Sequence, residues 1–108
     1  MLNSQKVTFQ LKHRQDLVKD LAFAKIVALI PGATKSNYIT KEMNLLMQGI
    51  EFLNKIALGT ITNEEQAQAD LLLPLITAIK AVRVASNEIE AELISDVNYD
   101  WQNSPYWP

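Results

Sequence analysis

The chain has no cysteine in its 108 residues, which excludes a disulfide framework, thiolate catalysis and any cysteine-held metal. Its one histidine, His13, has no thiol to activate, and no serine lies in a nucleophile-elbow pattern. The three glycines, Gly32, Gly49 and Gly59, are far apart and form no phosphate-cradling loop. Long apolar runs are also missing. The strongest, Leu21 to Ile30, is broken by Lys25 and is about half the ~20 residues a membrane span needs. Asp16 and Asp20 stand just before it, where a signal peptide wants basic residues. Nor is there an excess of positive charge. Ten Lys and Arg face twelve Asp and Glu, for a net charge of −2. Lys12, Arg14, Lys19 and Lys25 are interleaved with Asp16 and Asp20, so no basic stripe suited to nucleic acid forms. The expected partners therefore include neither nucleic acid nor membrane, and synthesis is expected in the cytoplasm.

What remains is material for a core. Apolar residues make up 48% of a 12.2 kDa chain, which suits a single ordered domain. The charges are segregated: residues 1–60 are mainly basic and residues 61–108 mainly acidic. Packing of oppositely charged helices within one chain accounts for this more simply than head-to-tail contact between copies, since an exposed pair contributes only ~0–1 kcal/mol.

The periodicities predict an all-α fold of three helices with an extended aromatic C-terminal arm. A helical domain is expected over residues 1–94, with an N-terminal arm at 1–13 and helices at about 14–30, 38–58 and 63–94. Val7, Phe9 and Leu11 alternate with Thr8 and Gln10, which fits an extended arm and equally a first helical turn. In the first helix Leu17, Val18, Leu21, Ala24 and Ala28 form an apolar stripe, widened by Phe23, Val27 and Ile30. Its second half is expected to be buried nearly all round. Pro31-Gly32 ends it. In the second helix Ile39, Met43, Leu46, Met47, Ile50, Leu53 and Ala57 share one face, expected to pack in the core; for its two methionines core packing is favoured over a binding surface. Gly59 is its expected C-terminal cap; Gly49, inside it at a cost of ~1 kcal/mol relative to alanine, either permits close helix approach or is simply tolerated.

Thr62-Asn63-Glu64-Glu65 reads as a capping box opening the third helix. Leu72, Leu75, Ile79, Val82, Ser86, Ile89 and Leu93 then alternate by three and four, a core-facing seam with Ile79 near its centre. Pro74 interrupts it. Its missing amide and its ring predict a kink near residues 70–75, or a break with Pro74 beginning a new helix.

Residues 95–108 change character. Both tryptophans and two of the three tyrosines, Trp101, Trp107, Tyr99 and Tyr106, lie here among Asp, Asn, Ser and two prolines. Two readings fit: a lid folded back on the helices, or anchors for a partner's groove. The candidate protein-binding residues are Tyr99, Trp101, Tyr106 and Trp107. Asp96-Val97-Asn98-Tyr99-Asp100 has the opening spacing of a calcium loop, but Trp101 stands where its glycine is needed and Trp107 where its glutamate is. Asx turns are the simpler expectation. Glu88 and Glu92 share a helix face with no histidine near in sequence, so they read as a solvated surface. No catalytic, metal or cofactor-binding residue is expected, and none of these patterns supports an enzyme.

The segment Ala78-Ile79-Lys80-Ala81-Val82-Arg83-Val84-Ala85-Ser86-Asn87-Glu88-Ile89-Glu90-Ala91, the acidic linker after it and the ending Ser104-Pro105-Tyr106-Trp107-Pro108 carry a resemblance. Together they resemble the C-terminal part of small proteins encoded among bacteriophage tail genes, which have a similar alanine-rich helix and a terminal Trp-Pro. The resemblance covers about the last third of the chain. It implies a non-enzymatic structural or adaptor subunit of a phage tail or baseplate, located in the virion tail. Its partners would be other tail proteins or copies of itself, with the aromatic arm as the docking element. The alternative it implies is an assembly chaperone for a tail or tail-fibre protein, absent from the finished particle.

Overall fold

Three α-helices, with no strand among the described residues, make up the computed structural model, which describes the backbone of residues 2–108 and side chains from Gln5 onward. They are α1 (Leu2–Leu29), α2 (Tyr38–Leu58) and α3 (Asn63–Ser95). The all-α expectation holds.

The N-terminal arm at 1–13 needs correction: from Leu2 onward it is the start of α1. The five-residue alternation that suggested an extended segment is outweighed by the helix continuing through it. Val7 and Phe9 are exposed, whereas Leu11 packs inward. The helix also buries a narrower face than expected. Val18, Ala22, Ile26 and Ile30, four apart, are buried. Phe23, Ala24 and Ala28 are exposed, so the second half of α1 is covered on one side only. Pro31-Gly32 ends it as expected, with Gly32 at φ 72°, a left-handed conformation that costs glycine little.

The end of α2 is set by Gly59, at φ 70°, φ again positive; its amide donates to the Ile56 carbonyl (3.1 Å) and the Thr60 amide to Lys55 (2.9 Å). The capping box opens α3: the Glu65 amide donates to Thr62 Oγ1, and the Thr62 amide donates to Glu65 Oε1, both at 3.1 Å. Pro74 does not break α3, which runs unbroken from Asn63 to Ser95, so the possibility of a new helix starting there is set aside. Three residues on, the Thr77 hydroxyl donates to the Leu73 carbonyl (3.1 Å), a side-chain back-bond of the kind that often bends helices.

The chain divides into two compact units whose boundaries fall within α1 and α3. One comprises the chain up to Lys25 together with Ala81–Pro108, so residues 95–108 belong to it rather than forming a separate arm. Its core is Val18, Ile89 and Leu93, with Leu11, Tyr99, Trp101 and Trp107 packed against them. Val82 and Ser86 of the seam are buried here too.

The other unit is Ile26–Lys80, with Ile26, Ile30, Phe52, Ala69 and Ile79 buried. Leu72 and Leu75, the first seam positions, are half-buried. Gly49 marks a close approach of α2 to α3: a Cβ there would stand 2.6 Å from Ile76 Cδ1. Gly49→Ala sets a helix-propensity gain of ~1 kcal/mol against ~0.5–1.5 kcal/mol for displacing the Ile76 side chain. Urea denaturation is expected to show Gly49→Ala within about 1 kcal/mol of the parent, and Gly49→Leu destabilised by ~1–3 kcal/mol.

Candidate functional site

The aromatic tail is built into the first unit. After α3 the chain turns on Asp96, whose carbonyl accepts from the Tyr99 amide (2.9 Å) and whose Oδ1 accepts from the Asn98 amide (3.0 Å). That is the Asx turn expected in place of a calcium loop. Arg14 of α1 holds this corner, donating to the Val97 carbonyl and to Asn98 Oδ1 (3.1 Å). Tyr99, Trp101 and Trp107 are half-buried on the Val18–Ile89–Leu93 core. Trp107 Nε1 donates to the Trp101 carbonyl (2.8 Å), joining the two rings' segments, and Lys25 Nζ stands 5.3 Å from the centre of the Trp107 ring, within cation–π range.

Ser104 ties the rest together. It is buried, its hydroxyl shares a hydrogen bond with the Tyr99 hydroxyl (2.8 Å) and accepts from the Tyr106 amide (3.2 Å). Tyr106 is the most exposed of the four aromatic candidates, and its hydroxyl donates to Glu92 Oε1 (3.1 Å). That bond, followed by the carboxylate's negative charge, holds the Tyr106 phenol above its ordinary range. Glu92 is thus a tether rather than part of a solvated face, and Glu90 pairs with Lys19 at 3.5 Å. Within this unit, basic α1 and acidic α3 pair inside one chain. The tail therefore takes the lid arrangement of the two readings: Tyr99, Trp101 and Trp107 are occupied at home. Sequence reasoning missed Ser104, Arg14 and Lys25, whose roles depend on partners 2 to 84 positions away.

The uncovered surface lies elsewhere. On α2 the face expected in the core is the one left exposed: Ile39, Met43, Leu46, Met47, Ile50 and Leu53 are between 42% and 66% exposed. Glu42, Gly49 and Phe52, on an adjacent face, are buried instead. This corrects the core assignment of both methionines. The cause is geometric. At about 100° per residue the non-polar positions of α2 span roughly 220° of its circumference, and the unit covers only one flank of that arc.

At the other end of α2, Lys55 bonds to Glu65 of the capping box and pairs with Glu51 (3.3 Å). The Lys55 hydrogen bond is the main cause holding the Glu65 carboxyl below its ordinary 4.5, and the same bond raises Lys55 above 10.5. A depressed carboxyl contributes stability above its unfolded pKa and loses it as pH falls through the folded one; a raised amine contributes below its unfolded pKa and loses it above. The pair therefore supports the fold between about pH 4.5 and 10.5. Glu65→Gln keeps the capping acceptor and removes the charge. The gap in melting temperature between it and the parent is expected to be largest near neutrality and to close on acidification below pH 4.5.

Among the described residues no three His, Asp or Glu are grouped to hold a metal ion, and no buried side-chain polar atom lacks a partner. His13 is exposed. A shallow hollow by Gln5, Thr8, Phe9 and Lys12 brings together no acid–base pair. No helix among the described residues is long and apolar enough to cross a membrane. Compared with protein-family models, curated proteins and solved structures, the chain has no significant match.

Proposed function

We propose that this chain is a non-enzymatic structural or adaptor subunit of a bacteriophage tail or baseplate. The single observation carrying the interaction role is the apolar stripe of α2, Ile39 to Leu53, left facing water. Scattered exposed apolar residues are ordinary, but six along one helix face form a contiguous patch of the kind that marks a binding surface. The tail assignment draws on the resemblance of residues 78–91 and 104–108 to small proteins encoded among phage tail genes. Docking is assigned to α2 rather than to the aromatic tail, because Tyr99, Trp101 and Trp107 already cover their own core.

Mass spectrometry of purified particles from the phage or prophage encoding the chain tests this reading. The protein is expected among the tail components at a fixed ratio to them. Its absence from particles, with recovery on an unassembled tail protein, would identify an assembly chaperone instead. Absence from both would overturn the tail assignment.

A further inference from the structure

We infer that the exposed face of α2 is covered by the same face of a second copy of this chain, giving a two-fold symmetric dimer. The inference rests on α2 as the docking face; the experiment below uses purified protein alone, so it stands or falls separately from the tail assignment.

Spacing is the first argument. Ile39, Met43, Leu46, Ile50, Leu53 and Ala57 follow one another by four and three in strict alternation. That is the seam along which two α-helices of like sequence interlock side chain into gap. Met47 widens the seam on one side. A surface that pairs with itself must be its own complement, and a seam of this repeat is.

Charge is the second argument. The four charged residues of α2, Lys41, Glu42, Glu51 and Lys55, all lie off the stripe. Glu42 is buried on the flank, and Lys55 is engaged with Glu51 and Glu65. Thr40 and Asn54 border the seam on the Met47 side. No like charges meet when two copies approach, in either relative direction, and no charge calls for an oppositely charged partner. The same distribution disfavours a lipid surface. Interfacial helices carry Lys and Arg along the polar face, whereas here the lysines and glutamates of α2 cancel in a chain of net charge −2.

Area is the third. Wholly covered, the six stripe residues at their observed exposures would remove roughly 600 Å² per chain from water, so the stripe alone brings a pair to at most the ~1,200 Å² at which specific interfaces begin. An interface at that lower limit implies association that depends on concentration rather than a permanent dimer.

Sedimentation equilibrium of the purified full-length chain, from low micromolar to hundreds of micromolar, is the test. The expected result is a shift from 12.2 kDa toward twice that mass. Ile50→Glu is expected to hold the protein at the monomer mass throughout, with far-UV circular dichroism unchanged because the side chain is solvent-exposed in the single chain. Phe9→Glu, an exposed apolar residue outside the stripe, is expected to dimerise as the parent does. Should Ile50→Glu lose helicity, Met43→Lys provides the second variant on the same face. A monomer at every concentration, an assembly larger than a dimer, or a dimer that both stripe variants leave intact would each overturn the inference.

Discussion

Removing residues 97–108 is expected to lower the stability of the protein by ~3–5 kcal/mol, about the loss of one buried tryptophan. The deletion strips Tyr99, Trp101 and Trp107 from Val18, Ile89 and Leu93 and leaves that core facing water. It also removes the Val97 and Asn98 acceptors of Arg14 and the Tyr106 tether to Glu92. With domain stabilities of ~5–15 kcal/mol, a loss of this size is a large share of the total. Urea denaturation followed by circular dichroism measures it. Trp107→Phe separates the contributions: it keeps much of the ring area but loses the indole donor to the Trp101 carbonyl, so a loss of ~0.5–1.5 kcal/mol is expected. An unchanged midpoint for the deletion would mean that the tail stands off the core in solution and is free to anchor a partner.

Ile79→Ala is expected to destabilise by ~2–5 kcal/mol, combining lost apolar transfer with the cavity left behind. Ile79 is 3% exposed, near the middle of the α3 seam. The same truncation at Ile50, 60% exposed, is expected to change the midpoint of the monomer little. The contrast between two isoleucines, each on a seam of the same repeat, is the direct measure of which seam is filled from within the chain.

That contrast also shows where the sequence was legible. The helix ends of α2 and α3 could be read because each depends on residues next to one another: Thr62 with Glu65, Gly59 with the turn before it. The α3 seam from Ile79 to Leu93 was legible because its three-four spacing picks out the buried positions, Ile79, Val82, Ser86, Ile89 and Leu93. The α2 arc is wide, and periodicity locates its centre without saying which flank the neighbouring helix covers. The part that remains outside runs from Leu53 and Leu46 through Ile39, Ile50 and Met43 to Met47. In α1, the alternation of Val7, Phe9 and Leu11 was too short to compete with the helix that extends through it. The tail was legible in composition alone. Its lid arrangement depends on Arg14 and Lys25, more than 80 residues upstream of their partners, and on a buried serine with no local signal.

The placement of both indoles in residues 101 and 107 has a practical consequence. Every tryptophan emission signal originates in the unit made of the chain up to Lys25 and Ala81–Pro108, and the Ile26–Lys80 unit contributes none. Fluorescence therefore follows the opening of one unit, while far-UV ellipticity follows helices belonging to both. Coincident melting curves from the two signals would mean a single cooperative transition. An emission change that precedes the loss of ellipticity would identify the lid as the first part to open, in wild-type protein with no dye attached.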